Sequence, residues 1–383
     1  MRRRNGELAS TAALFLAGLT LRPQIVGIGP LLPRIEASLD ISHAVAGLLS
    51  TIPVLCMGIF ATLAPPLLRR YGSKKAIGGA LAVIGVAGLI RTVMPGAVSV
   101  LVLTVPIGVG IAVAGTLLPV VVKEEHPGRP AFATGVYAAG INVAAMLASL
   151  LAVPIALVAG WRGALAAFSA VSVLAVLPWL RRRHSNPDPP QRTALPWRTG
   201  LGWTIAAIFG LQAVTFYGFN AWLAEAYVER GWDGTTAGAL VATMNAVTLV
   251  GGVITALTAD RVVSRRSFLL VGAALTTAGA APIAAGIPGA WFWAVVVGVS
   301  SGMLFTTAMT LPLDTALRSG DVAAMSTWML GVGYAVAAAA PFALGALRDT
   351  TGGFTAPLAV LAANGFLLLA IATTYDRPAL RQA

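Results

Sequence analysis

Charged side chains are scarce in this chain: 10% of its 383 residues are Asp, Glu, Lys or Arg, where a soluble domain carries about 25%. That shortage excludes an ordinary soluble enzyme. A single cysteine, Cys56, means that no intramolecular disulfide can form. The three histidines, His43, His126 and His184, fall in loops or at helix ends without metal-ligand spacing. No glycine-rich stretch follows a strand and opens a helix, so nucleotide binding and an ATP-driven pump on this chain are unsupported. No cofactor and no catalytic constellation are expected. Acids are few, 14 against 26 bases. None falls deep in an apolar run, with Glu225 and Asp314 at segment ends.

What the chain has is apolar length. Hydrophobic residues make up 57% of it, and the mean hydropathy is +0.83. Apolar segments fall at 8–32, 44–68, 76–94, 97–121, 132–158, 162–180, 200–225, 235–259, 267–287, 290–313, 322–347 and 355–374. A membrane span needs roughly 20 such residues, so the fold class is an all-α membrane protein with twelve transmembrane helices. The opening Met1-Arg2-Arg3-Arg4 is read as the flank of an uncleaved first helix, because the segment behind it is long and holds Arg22 and Pro23. With both termini cytoplasmic, twenty of the 26 basic residues lie on the inner side, as the positive-inside rule requires. The basic excess thus reflects a lipid bilayer and not a nucleic acid.

The proline-rich, charged stretch 181–199 reads as a cytoplasmic linker between an N-terminal bundle, 1–180, and a C-terminal bundle, 200–383. The halves repeat. Ala46-Gly47-Leu48-Leu49 returns as Ala237-Gly238-Ala239-Leu240, and the basic loop 69–75 returns as 260–266, both 191 residues on. Two parallel six-helix halves are a transporter pattern with the site near the midplane between them.

One span carries a charge. Arg22 lies near the middle of the first segment, and Pro23 removes the amide that would have bonded the Leu19 carbonyl. A cation at that depth costs roughly 2.5–3.5 kcal/mol on insertion scales, so it must face a protein interior or a watery cavity. With no acid deep in any span to pair with it, Arg22 is expected to hold an anionic ligand through its bidentate donors. Arg91, near the outer end of the third segment, is placed to snorkel to the headgroups, with a second contact or an outer gate as its functional alternative. Gln24, Tyr137, Asn142, Gln212, Tyr217, Asn220, Trp222 and Asn245 are the polar and aromatic positions suited to line a cavity. Each is also a candidate for interhelical glue. Trp161-Arg162 reads as a loop anchor, and Trp328 and Tyr334 as packing or interface residues.

Two six-helix halves with basic loops after the second and eighth helices resemble the major facilitator superfamily. Leu21-Arg22-Pro23 with Gly29-Pro30-Leu31-Leu32, the run 47–56, the glycine-rich run 108–119 with Lys123, Trp161-Arg162, and Phe216-Tyr217-Gly218 with Ala221-Trp222-Leu223 are similar to its cyanate and 2-nitroimidazole permease family. The resemblance implies a bacterial inner-membrane permease for a small anion or small nitrogen-containing solute, working by alternating access. Since helices one, four, seven and ten usually line the cavity in this superfamily, Gln212, Tyr217 and Asn220 gain weight. The loop signature implies that Asp260, Arg261, Arg265 and Arg70 act as a cytoplasmic gate. Arg69 stands at the acidic position of the first copy of that loop. The helix-five reading Gly135 to Asn142 departs from the drug-antiporter pattern. A small anion, a lipid bilayer and no second subunit are the expected partners. Export of small nitroheterocycles remains the alternative substrate reading. A transporter-like membrane sensor is the alternative from another class, and the short stretch after residue 374 argues against it.

Overall fold

The computed structural model describes residues 2–126, 130–180, 195–258, 265–315 and 319–375. The elements are α1 (Arg2–Thr20), α2 (Pro23–Val26), a 3-10 turn Gly29–Leu31, α3 (Leu32–Leu39), α4 (His43–Ile59), α5 (Ala64–Val93), α6 (Ala97–Glu125), α7 (Pro130–Leu180), α8 (Gly200–Glu229), α9 (Gly234–Thr258), α10 (Arg265–Ala284), α11 (Ala290–Thr315), α12 (Ser319–Thr351) and α13 (Thr355–Thr374). Every described regular element is helical. In a bilayer a helix satisfies its own backbone donors and acceptors, which open strands cannot do.

Ten of these helices are long and apolar enough to cross a membrane, and the bent pair Ser10–Val26 and Gly29–Leu39 adds an eleventh crossing. Phe132–Trp179, at 48 residues, is about 72 Å long at 1.5 Å per residue, far more than a bilayer. It breaks at Gly160, whose φ of 69° ends one helix and starts the next, and so supplies two crossings. That makes the twelve expected from hydropathy. A positive φ of 75° at Gly72 makes the matching break inside α5. The proposed linker's residues 181–194 lie outside the described residues.

Helices α1, α4, α5, α6 and α7 pack together, as do α8 to α13, while α4 against α12 and α7 against α9 join the two groups. One apolar core straddles the join, with Ile28, Leu31, Phe168, Phe219, Leu223, Leu240 and Phe354 buried in it. A second lies mostly in the first group but takes in Ala213, Tyr217, Ala337 and Ala338 of the other, and a third lies within the second group. At the end that holds the chain termini, Lys74 pairs with Glu125 at 3.0 Å and Arg265 with Asp314 at 2.9 Å. Lys74 and Arg265 are equivalent positions of the 191-residue repeat, so each half carries its own copy of one ion pair.

Small residues allow close helix contact. At Gly302 of α11 a Cβ would collide with the Thr248 carbonyl of α9, whereas Gly79 on α5 faces open space. Gly302→Val therefore lowers stability by roughly 1–3 kcal/mol through overpacking. Gly79→Ala is neutral or stabilising by up to about 1 kcal/mol. Thermal unfolding of the two purified variants in detergent reads the contrast.

Candidate functional site

The first span is interrupted where Pro23 follows Arg22. α1 ends at Thr20, and helical bonding resumes only when Ile25 and Val26 donate to the Arg22 carbonyl at 3.0 and 2.9 Å. The bent backbone turns the Arg22 side chain across the bundle to α8. There Nη1 donates to the Tyr217 hydroxyl at 2.7 Å, and the guanidinium lies 5.0 Å from the Phe216 ring centroid and 5.4 Å from that of Tyr217. These partners are a phenol and two π faces, worth about 0.5–2 kcal/mol each. None carries a negative charge. Arg22 is only part-buried, as are Met57, Tyr137, Phe216 and Tyr334 around it. The Tyr217 hydroxyl also meets the Met57 sulfur at 3.9 Å, and the Tyr217 and Tyr334 rings lie 6.4 Å apart. The arrangement is a cation with an accessible face, set in an aromatic and thioether wall.

Arg91 behaves differently from the snorkelling residue expected from its position. It is fully buried, because α5 continues past it to Val93 and its side chain turns inward. Nη2 donates to Gln24 Oε1 at 2.6 Å and Nη1 to Thr104 Oγ1 at 3.2 Å. Gln24 in turn donates to Ser169 Oγ at 2.9 Å, and Ser169 bonds the Leu165 carbonyl. Arg91 Nε has no hydrogen-bond partner. Gln24, two residues after Arg22, is therefore committed to Arg91 and Ser169.

The other polar candidates are dispersed. Asn245 Nδ2 donates to Asn220 Oδ1 at 2.8 Å and to Ser149 Oγ at 3.2 Å, linking α9 to α8 and α7. Asn220 Nδ2 bonds the Phe216 carbonyl, Asn142 Nδ2 the Ala138 carbonyl, and Gln212 Nε2 reaches the Ser301 carbonyl at 3.4 Å. Trp222 Nε1 donates to the Pro341 carbonyl at 2.8 Å. Thus Arg22 and Tyr217 meet directly and Tyr137 stands nearby in the same partly buried cluster. Asn220, Asn245, Gln212 and Trp222 tie helices together. Tyr334, read from sequence as packing, faces Tyr217 across 117 residues of chain. No local signal marks it.

Of the gate residues, Asp260 and Arg261 lie outside the described residues. Arg265 bonds Asp314 within its own half, and Arg70 is exposed with its guanidinium 5.3 Å from the Tyr71 ring centroid. Arg162 does anchor a loop: Nη1 bonds the Thr92 and Met94 carbonyls at the end of α5, at 2.9 and 2.5 Å.

Glu225 and His43 depart most from the sequence reading. Helix α8 runs on to Glu229, one turn past the expected end, so Glu225 is inside the helix and 5% exposed. His43 opens α4 with Glu36 and Glu225 close to its Nε2, and the ligand atoms of the three lie within 4.8 Å of one another. They stand at the end of the bundle opposite the chain termini.

Comparison with known proteins agrees with this architecture. The chain is 31% identical to an uncharacterised transporter, YycB, of Bacillus subtilis over 92% of its own length and 89% of the relative's. It is 29% identical to the 2-nitroimidazole transporter of Escherichia coli, covering 93% and 92% of the two chains. With the cyanate transport protein CynX of the same organism it shares 27% identity over 89% and 90%. The crystal structure of a bacterial homologue of the human lysosomal transporter Spinster, inward-facing and unoccupied, superposes with a TM-score of 0.76 at 15% identity, covering 97% and 96% of the two chains. The sequence profile of the Major Facilitator Superfamily matches residues 11–338. Twelve crossings in two repeated halves, a charge-bearing break in the first span, and relatives that are themselves transporters place the chain in the Major Facilitator Superfamily, as a secondary transporter of a small molecule and a multi-pass membrane protein.

Proposed function

We propose that this transporter moves a small anion of the cyanate, nitrite, nitrate or small-carboxylate type, with Arg22 as its anchor. The observation that carries the reading is the part-buried guanidinium at the break of the first span, whose partners among the described residues are uncharged aromatic groups. A cation left without a counter-charge at membrane depth is relieved most by an anion that accepts two of its N–H bonds. The Tyr217 hydroxyl orients the fork, and Phe216, Tyr334 and Met57 exclude water around it, which strengthens the electrostatic attraction. The cyanate transport protein among the relatives is in keeping with such a ligand.

Two halves, 1–180 and 200–383, rock about this site, presenting it to each side in turn. The transporter is a monomer in the bacterial plasma membrane, with both termini in the cytoplasm. Asp260 and Arg261 contribute to the gate on that side. A second reading, export of a small nitroheterocycle, draws on the aromatic wall and on the 2-nitroimidazole transporter among the relatives. In it Arg22 contacts a nitro group and ring stacking supplies the affinity.

Flux into proteoliposomes, with a panel of small anions and 2-nitroimidazole, tests the reading. Arg22→Ala removes charge-assisted bonds of roughly 1.5–3 kcal/mol, so anion affinity falls about 10- to 150-fold, with Arg22→Lys between. Anion flux that survives Arg22→Ala, or a protein that moves only the neutral heterocycle, disproves anion anchoring.

The buried pair below it has a structural effect that can be separated from affinity. Gln24→Leu leaves the buried Arg91 guanidinium with Thr104 as its side-chain partner and costs roughly 1.5–3 kcal/mol of stability. Tyr217→Phe removes one hydrogen bond from a part-exposed partner and costs about 1 kcal/mol. Thermal unfolding in detergent ranks the two, and Tyr217→Phe shows its larger effect in substrate affinity.

A further inference from the structure

We propose that Glu36, His43 and Glu225 form a binding site for a divalent ion of the Zn2+ class, which clamps the two halves together at the end opposite the chain termini. Glu36 on α3 and His43 on α4 belong to the first half, and Glu225 on α8 to the second. The site therefore exists only while that end is closed.

The ring orientation of His43 carries the argument. Asp349 of α12 takes the Nδ1 side at 2.7 Å, and its two carboxylate oxygens also accept the His43 and Ala44 backbone amides at 3.2 and 2.9 Å. An ionised carboxylate can only accept, so Nδ1 carries a proton, and Nε2 is the ring nitrogen left to hold a metal. Nε2 faces two further carboxylate oxygens, Glu36 Oε2 at 3.4 Å and Glu225 Oε1 at 3.3 Å. Two carboxylates beside one ring nitrogen favour a cation at that point, and a divalent ion there takes the place of a proton on Nε2.

The distances fit a metal. Charge-assisted N–H···O bonds are about 2.7–2.9 Å long, and both Nε2 separations are longer. A tetrahedral ion with N and O ligands at about 2.0–2.1 Å sets neighbouring ligand atoms about 3.3–3.4 Å apart. Both measured separations match that edge. The remaining oxygens, Glu36 Oε1 and Glu225 Oε2, are buried without any hydrogen-bond partner, and Glu225 is 5% exposed. A buried carboxylate oxygen without a donor is costly unless a cation compensates it. Asp349 on the far ring nitrogen is the outer partner that metal-binding histidines almost always have. One imidazole with two carboxylates suits a borderline ion better than Mg2+ or Ca2+, which take oxygen cages. The fourth position is left to water.

The proposal does not rest on the anion reading at Arg22, which lies in the middle of the span. Full-length protein, purified in detergent and freed of metal by chelation, is titrated with Zn2+ against a chromophoric competitor, and separately with Co2+ by absorption spectroscopy. One ion per chain and a tetrahedral-type Co2+ spectrum are expected. His43→Gln and Glu225→Gln each weaken binding by more than about 100-fold, and Asp349→Asn by about 10- to 100-fold. Asp40→Asn, an exposed acid close by in sequence, and Arg22→Ala leave it unchanged. Absence of stoichiometric binding, an octahedral Co2+ spectrum, or binding that persists in His43→Gln overturns the proposal. Should the variants fail to fold, the Co2+ spectrum of the unmodified protein decides it alone. In proteoliposomes Zn2+ slows transport at concentrations that fill the site, and flux unaffected by a filled site disproves the clamp.

Discussion

A guanidinium surrounded by protein and lipid must find its compensation within the chain, and this constraint shapes the first half of the transporter. Two arginines meet it in opposite ways. Arg91 is sealed among an amide and a hydroxyl, with Gln24 passing the polarity on to Ser169. Arg22 is held by a phenol and two aromatic faces and remains part-exposed. The first is a buried internal network that leaves only Nε of Arg91 without a partner. The second is left one charge short, and the break made by Pro23 is what lets it reach from the first span to α8. A regular helix would instead keep its backbone amides engaged and direct the side chain along its own face.

The remaining polar groups are distributed by the same rule. Most described Ser and Thr hydroxyls bond a carbonyl three or four residues back, as Thr104, Thr116, Ser149 and Thr276 do. They satisfy themselves and leave the surface apolar. The amides do more. Asn364 bonds the Leu211 carbonyl and the Thr215 hydroxyl, and Asn245 spans three helices. The ion pairs divide by position. Lys74 with Glu125 and Arg265 with Asp314 each stay within a half at the terminal end, while His43 with Asp349 and Glu225 crosses between halves at the opposite end. Arg348 with Glu229 adds a pair inside the second half at that opposite end, and motion that separates the halves there must break the ties of His43 first.

Much of this was legible in the residues. The apolar segments located the crossings because a span needs an unbroken run of about 20 apolar residues. The repeat at 191 residues brought Lys74 and Arg265 into register before any ion pair was seen. The unusual cost of Arg22 marked the site. For three side chains the place along the chain was legible but the surroundings were not, for one reason. Arg91, His43 and Glu225 all stand near segment ends, where a linear reading assumes headgroups or water. Whether such a residue turns inward depends on the helices beside it, as α3, α4 and α12 surround Glu225 and His43.

The order of apolar and polar residues along the chain determined by itself the helical class, the twelve crossings, the internal repeat and the presence of a cation at mid-span. These follow from the solvent, since a bilayer leaves the backbone few choices. Tertiary structure alone decided the partners: that Tyr217 and Tyr334, far apart in the chain, share a wall with Arg22, that Gln24 belongs to Arg91, and that His43 sits among carboxylates from three other helices. Such contacts form between side chains tens to hundreds of residues apart. No local pattern encodes them, because each depends on how two separate helices cross.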